Sequence, residues 1–175
     1  GMRTVLAALA AFLVGGMVAA QEAPQATPGE MALTALTTAD AVDAALVRFR
    51  GLGLAARHEV LAYRETPLEP ALRREVLEVA ACAEIAPERL MRLDAALGER
   101  FAAAVLELLA AAGVDRDGVD AVASHGQTVR HVPRHRGEGQ ALTLQLGSAA
   151  LLAEHTGLTV VSDFRTRDTA AGGEG

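Results

Sequence analysis

The sequence predicts a layered α/β fold, and two observations carry that prediction. Segments with strand-like patterning alternate with segments of helical period. Apolar residues make up 51% of the 175-residue chain, enough for one domain with a core of its own. The expected order is strands, helices, strand, loop, strand, helix, strand. In such sheets ligands gather where strands end and loops begin.

Residues 1–30 read apart from the rest. One arginine precedes an apolar run from Val5 to Ala20, and a polar stretch with Pro24 and Pro28 follows. This is the pattern of an export leader cut after Ala20, with a linker over 21–30. The run is short for a spanning helix, and Gly15 and Gly16 would weaken one, so no stable membrane association is expected after leader removal. The domain proper is expected over 31–175.

Residues 43–50, "DAALVRFR", read as a strand, the "GLG" after them as a turn, and residues 54–66 as a second strand ended by Pro67. Leu72, Val76, Val79 and Ala80 form a helical stripe in 69–82, with Pro70 suited to its first turn. Cys82 is expected there as a buried, inert thiol. The longest helix is predicted over 87–113. Leu90, Leu93, Leu97, Phe101, Val105 and Leu108 recur every three or four residues, and Gly113 is a natural stop. Its Glu88, Arg92, Glu99 and Glu107 read as a solvated face. Residues 119–128 read as a short buried strand entering a polar loop, and 134–140 as a mobile basic loop. "ALTLQLG" (141–147) alternates as a strand does. Residues 148–157 read as a helix between a Ser148 N-cap and a Gly157 C-cap. "LTVVSDF" (158–164) reads as a further buried strand.

Composition narrows the function. The net charge is -6 and the basic residues are scattered, which argues against a nucleic-acid partner. A single cysteine excludes an intramolecular disulfide. His125, His131 and His135 match no common zinc spacing, so no metal site is expected. The sequence leaves a homodimer open.

Two clusters carry chemistry. In "SHGQTV" (124–129), Ser124, His125, Gln127 and Thr128 bring hydroxyl, imidazole and amide groups together, and Gly126 allows a turn that aims them at one ligand. Such a set suits a polyhydroxylated molecule; a loop that satisfies its own backbone is the structural alternative. In "SDFRTRDTAAGGEG" (162–175), Asp163 and Asp168 are candidate acids or bases, and Arg165 and Arg167 candidate anion clamps. Extended chain over 163–168 would put 163, 165 and 167 on one side and Asp168 on the other. Gly172, Gly173 and Gly175 could bring backbone N–H groups to a phosphate. A charged exposed turn is the alternative.

"ASHGQTVRHVP" followed by "TLQLGSAALLAEHTGLTVVSDFRTRDTAAGGEG" resembles the anhydro-N-acetylmuramic acid kinases, and "DAALVRF" and "LDAALGERFAAAVLELL" fit that family as well. The resemblance covers roughly residues 34–175. It implies an actin-like, sugar-kinase (ribonuclease H-like) domain, a mixed sheet with flanking helices, and a cleft closed by a second domain that this chain lacks. It implies a small-molecule amino sugar and ATP as partners, with Mg2+ on the phosphates. Water opens the 1,6-anhydro ring while ATP phosphorylates the 6-oxygen, in cell-wall recycling. The catalytic base implied is Asp168, which deprotonates the attacking water. Ser124, His125, Gln127, Thr128 and Arg165 are implied on the sugar side. Thr37, Thr38, Asp40, Gly172 and Gly173 are implied on the nucleotide side.

The chain departs from the family pattern in places. Where the family carries a phosphate-binding "MSGTSLDGID", this sequence reads "TALTTADAVD" (34–43), with Leu36 and Ala41 in place of both glycines. Side chains there oppose close approach of a phosphate. Ser148 stands where the family has an acidic residue. The family is cytoplasmic, whereas the leader predicts export. A non-catalytic, exported sugar-binding domain is therefore the rival expectation.

Overall fold

The structure is a computed structural model that describes residues 29–38, 40–51, 56–134 and 139–175, and of 29–38 the backbone only. The leader, most of the "GLG" turn and residues 135–138 of the basic loop lie outside the described residues.

Strand β1 (Gly29–Thr38) turns tightly into β2 (Ala41–Arg50), and β3 (Arg57–Pro67) completes an antiparallel meander. Helices α1 (Pro70–Ala81) and α2 (Pro87–Ala112) follow. The chain then re-enters the sheet as β4 (Ala121–Ser124), parallel to β1. A separate antiparallel ribbon is made by β5 (Gln127–Val132) and β6 (Leu142–Leu146). Helix α3 (Ala149–Thr156) leads to β7 (Val160–Val161), parallel to β4, and α4 (Phe164–Ala170) follows. The main sheet has the order β3-β2-β1-β4-β7, so the fold is mixed α/β.

Side-chain periodicity explains the layers. On α2, Leu93, Leu97, Phe101, Val105 and Leu108 are buried as one stripe, and they meet Val42 and Leu46 of β2 and Val122 of β4 in a single core. Each such side chain contributes about 1.5–3 kcal/mol on burial. The pleat sends Ala121 and Ala123 to the opposite face, where Phe49 and Phe164 cover them. Helix ends follow local chemistry. Proline opens α1 and α2, where the missing N–H costs nothing. At the end of α2, the Val114 N–H donates to the Leu109 carbonyl at 3.0 Å across a left-handed Gly113. The Ser148 hydroxyl accepts the Leu151 N–H at 3.4 Å, so the expected N-cap forms.

Several expectations are corrected. Strand character in 158–164 is confined to Val160–Val161. Residues 163–168 are not extended: Asp163 turns left-handed (φ 62°) and the chain coils into α4. The reversal seats Phe164 against Ala121 and Ala123, a contact that period-two reading does not foresee. In a helix, residues three apart share a face, so Arg165 and Asp168 are neighbours rather than opposed. Gln127 and Thr128 are not in a loop but open β5, and the turn shrinks to His125 and Gly126. Cys82 is the half-buried C-cap of α1, not a core thiol. Glu107 is half-buried because it pairs with Arg64 and Arg100, whereas Glu88, Arg92 and Glu99 are exposed as expected.

Candidate functional site

Strands β1, β4 and β7 run parallel, so their carboxyl ends share one edge of the sheet. Thr34 of β1 pairs with Ser124, the last residue of β4. Strand β1 continues four residues further, to Thr38, which projects the β1–β2 turn about 13 Å past that row.

A cleft of about 220 Å³ opens at this edge. Ser124, His125 and Gly126 form one wall; Gln145, Leu146, Gly147, Ser148 and Ala149 form another. Asp94 of α2, Ser162 and Asp163 complete it. Ser124 is 2% exposed and its hydroxyl has no hydrogen-bond partner among the described residues. His125 Nδ1 lies 3.0 Å from the Gly126 carbonyl. A carbonyl only accepts, so Nδ1 carries the hydrogen, and a neutral ring offers a lone pair at Nε2. Among the described residues no arginine or lysine lines the cleft, and its charged members are Asp94 and Asp163.

The wall at Gly147 is built by close approach. Its backbone N–H donates to Asp94 Oδ1 at 2.8 Å, and the next N–H, of Ser148, donates to the Asp94 carbonyl at 3.0 Å. Gly147 has φ 124°, and a Cβ there would lie 2.2 Å from the Phe101 ring. Only glycine lets this turn rest on the core.

Arg165 and Asp168 are not among the residues that line the cleft. Arg165 Nη1 donates to Thr128 Oγ1 at 3.0 Å, and Nη2 to the Gly175 carbonyl at 3.4 Å. Asp168 is exposed, and its Oδ2 accepts the Gly175 N–H at 2.9 Å. Gly173 lies directly under that carboxylate: an added Cβ would sit 2.0 Å from Oδ2. A Cβ on Gly172 would meet nothing within 4 Å. Arg134 completes the strap, donating to the Gly173 carbonyl at 3.2 Å and pairing with Glu174 at 3.0 Å.

The structure thus brings Ser124 and His125 into the cleft lining and joins Thr128 to Arg165, neither of which lines it. The Gln127 amide donates to the Thr128 carbonyl at 2.9 Å, outside the cleft lining. Asp40 lies at the projecting turn, where its carboxylate is ion-paired with Arg73 of α1. Thr37 and Thr38 lie at the end of β1, and their side chains are outside the description.

Sequence reasoning passed over Asp94 and Gln145. Asp94 did carry a signal. It falls four residues after Leu90 and three before Leu97, on the apolar stripe, where a carboxylate requires a partner. Gln145 carried none until the β5–β6 pairing was known.

Comparison with known proteins shows the family of the chain. The family model described as anhydro-N-acetylmuramic acid kinase matches residues 29–175. An anhydro-N-acetylmuramic acid kinase of Xanthomonas campestris pv. campestris (strain 8004) is 45% identical over 150 residues, covering 85% of this chain and 39% of that protein. One from Caldanaerobacter subterraneus subsp. tengcongensis is 39% identical over 142 residues, 79% of this chain and 36% of the relative. One from Synechococcus elongatus is 40% identical over 139 residues, 79% of this chain and 35% of the relative. The chain spans less than two fifths of the length of these relatives. Over residues 29–175, which include all the described ones, the chain belongs to the anhydro-N-acetylmuramic acid kinase family.

Proposed function

We propose that this chain supplies the sugar-side part of an ATP-dependent kinase acting on 1,6-anhydro-N-acetylmuramic acid. Water opens the anhydro ring as the 6-oxygen is phosphorylated, giving N-acetylmuramic acid 6-phosphate for cell-wall recycling. A cytoplasmic setting belongs to this reading, since ATP is the phosphate donor. So does an actin-like, ribonuclease H-like form of the fold. Its support is a sheet antiparallel through β3, β2 and β1 and parallel through β1, β4 and β7.

The observation that carries the reading is the buried, unpartnered Ser124 hydroxyl in a cleft rich in acceptors. Leaving such a group unpaired costs about 1–3 kcal/mol, and a polyhydroxylated ligand relieves it. Asp168 is the base of this reading. It takes the proton of the water that attacks the anomeric carbon. Its support is its position on α4, five residues after the cleft-lining Asp163, and its link through Gly175 and Arg165 to Thr128.

ATP supplies the phosphoryl group when bound, and magnesium offsets the charge of its phosphates. The N–H groups of Gly172 and Gly173 already donate to the Thr169 and Asp168 carbonyls at 3.0 and 2.9 Å, so a phosphate held at these glycines would have to displace those bonds. Thr37, Thr38 and Asp40 occupy the projecting turn, with Asp40 engaged by Arg73.

The test uses a chain extended to the length of its relatives. Asp168→Asn removes turnover and leaves sugar binding intact; unchanged turnover rejects the assignment. Asp163→Asn is the matched comparison, and loss of turnover there alone moves the base to the cleft mouth. Calorimetry of the 175-residue chain with ATP–magnesium and with the anhydro sugar, run separately, isolates the two halves.

A further inference from the structure

We propose that Gln145 is the specificity-determining residue of the cleft, its side-chain carbonyl reading an O–H or N–H donor on the bound ligand. This rests on the sugar-site reading above and adds to it a residue and a hydrogen-bond polarity. Gln145 of β6 lies opposite Thr128 of β5. Its Nε2 donates to Thr143 Oγ1 at 2.6 Å and to Thr128 Oγ1 at 3.2 Å. Thr128 Oγ1 also accepts Arg165 Nη1 at 3.0 Å, which ties the amide to α4. Both amide hydrogens are therefore committed, and the side chain is held in one orientation.

Its other end is left over. Oε1 is buried and has no partner among the described residues, and Gln145 lines the same cleft as Ser124, whose hydroxyl is equally unpaired. A carbonyl oxygen can only accept. The remaining polar rim reinforces that polarity: Asp94 and Asp163 accept, and His125 spends its Nδ1 hydrogen on the Gly126 carbonyl. Ser162 spends its hydroxyl hydrogen on Asp163 at 2.9 Å, so among the lining side chains the Ser124 and Ser148 hydroxyls are left to donate, against acceptors at Asp94, Asp163, Gln145 and the His125 ring. A ligand presenting hydroxyl or amide hydrogens is favoured, and an anionic group at this wall is repelled by the two carboxylates. A site built this way also rejects an analogue that lacks the donor, since Oε1 then stays buried and unpaired.

The experiment is calorimetric titration of the 175-residue chain with 1,6-anhydro-N-acetylmuramic acid. Gln145→Leu is expected to weaken binding roughly tenfold. Gln145→Glu, which keeps an acceptor and lets the threonine hydroxyls turn to donate, is expected to recover most of that loss. Equal binding by wild type and Gln145→Leu overturns the inference while leaving the sugar site standing, as does a Gln145→Glu variant no better than the leucine. Absence of binding by the wild type overturns the sugar-site reading itself. A second readout needs no substitution. The Gln145 side-chain carbonyl resonance in 13C NMR is expected to move on sugar addition, and a bound complex in which it stays fixed overturns the proposal.

Discussion

Asp94 and Gly147 are joined across 53 residues of sequence by a 2.8 Å hydrogen bond from a backbone N–H to a carboxylate. The bond anchors the β6–α3 turn to α2 and sets one wall of the cleft. Asp94→Ala should lower stability by about 1–3 kcal/mol, because it leaves a part-buried N–H without its acceptor. Asp94→Asn, which retains a carbonyl oxygen, should recover more than half of the loss. Urea midpoints at constant m-value measure both.

Gly173 and Asp168 allow function to be separated from folding. Gly173→Ala adds a Cβ where the Asp168 carboxylate now lies, at 2.0 Å, so the short acidic side chain must swing away. Both residues are near the surface, and the expected stability change is small, about 0.5 kcal/mol. In a chain extended to the relatives' length, turnover should fall at least tenfold with sugar binding retained. Gly172→Ala meets no neighbour but is strained at its left-handed φ of 92°, so it should cost stability, about 1–2 kcal/mol, without displacing the Asp168 carboxylate.

Tyr63 gives a titration free of overlap, because it is the chain's one tyrosine. Its hydroxyl donates to Asp43 Oδ1 at 2.5 Å, and this bond pushes its pKa up from 10.0 to about 12. The neutral phenol is the form that the fold favours. Its stabilising contribution is therefore complete below pH 10 and is lost as pH rises through about 12. Tyrosinate absorbance should show the raised midpoint, and Asp43→Asn should bring it back towards 10.0.

Arg89 of α2 grips two acids of α1. It meets Glu75 at 2.7 and 2.9 Å and Glu78 at 2.7 Å. The hydrogen bonds from Arg89 hold the Glu75 carboxyl below its ordinary value of 4.5. A depressed acid stabilises the fold above its unfolded pKa and loses that contribution as pH falls through the folded one. Glu75 and Arg89 are about one third exposed and Glu78 more than half, so solvent screening keeps the effect small. Thermal midpoints should fall more steeply below pH 4.5 for the parent chain than for Glu75→Gln.

The parts of the molecule that were legible in the sequence are those decided by local pattern. The α2 stripe from Leu93 to Leu108, the Gly113 stop, the Ser148 cap and strands β2 and β3 follow from period and end chemistry, whereas β1 over Gly29–Thr38 was not foreseen. The SHGQT segment was legible as chemistry, and Ser124 and His125 do line the cleft. What local pattern missed was decided at a distance. The coil of α4 depends on Phe164 finding Ala121 and Ala123. The start of β5 depends on its partner β6, with an irregularity between Thr128 and Arg130 that fixes which side chains face Gln145. The engagement of Asp40 depends on Arg73, 33 residues away on another element.

The projecting β1–β2 turn has a consequence for how this lineage can drift. Its tip is braced by Arg73 of α1 on the Asp40 carboxylate and by the N–H of Leu68, in the β3–α1 connection, on the Asp40 carbonyl, whereas the cleft is braced by α2 and α3. Neighbouring surfaces with separate scaffolding can lose or gain residues independently. Leucine and alanine could replace two glycines at one of them, over generations, without disturbing the geometry of the other.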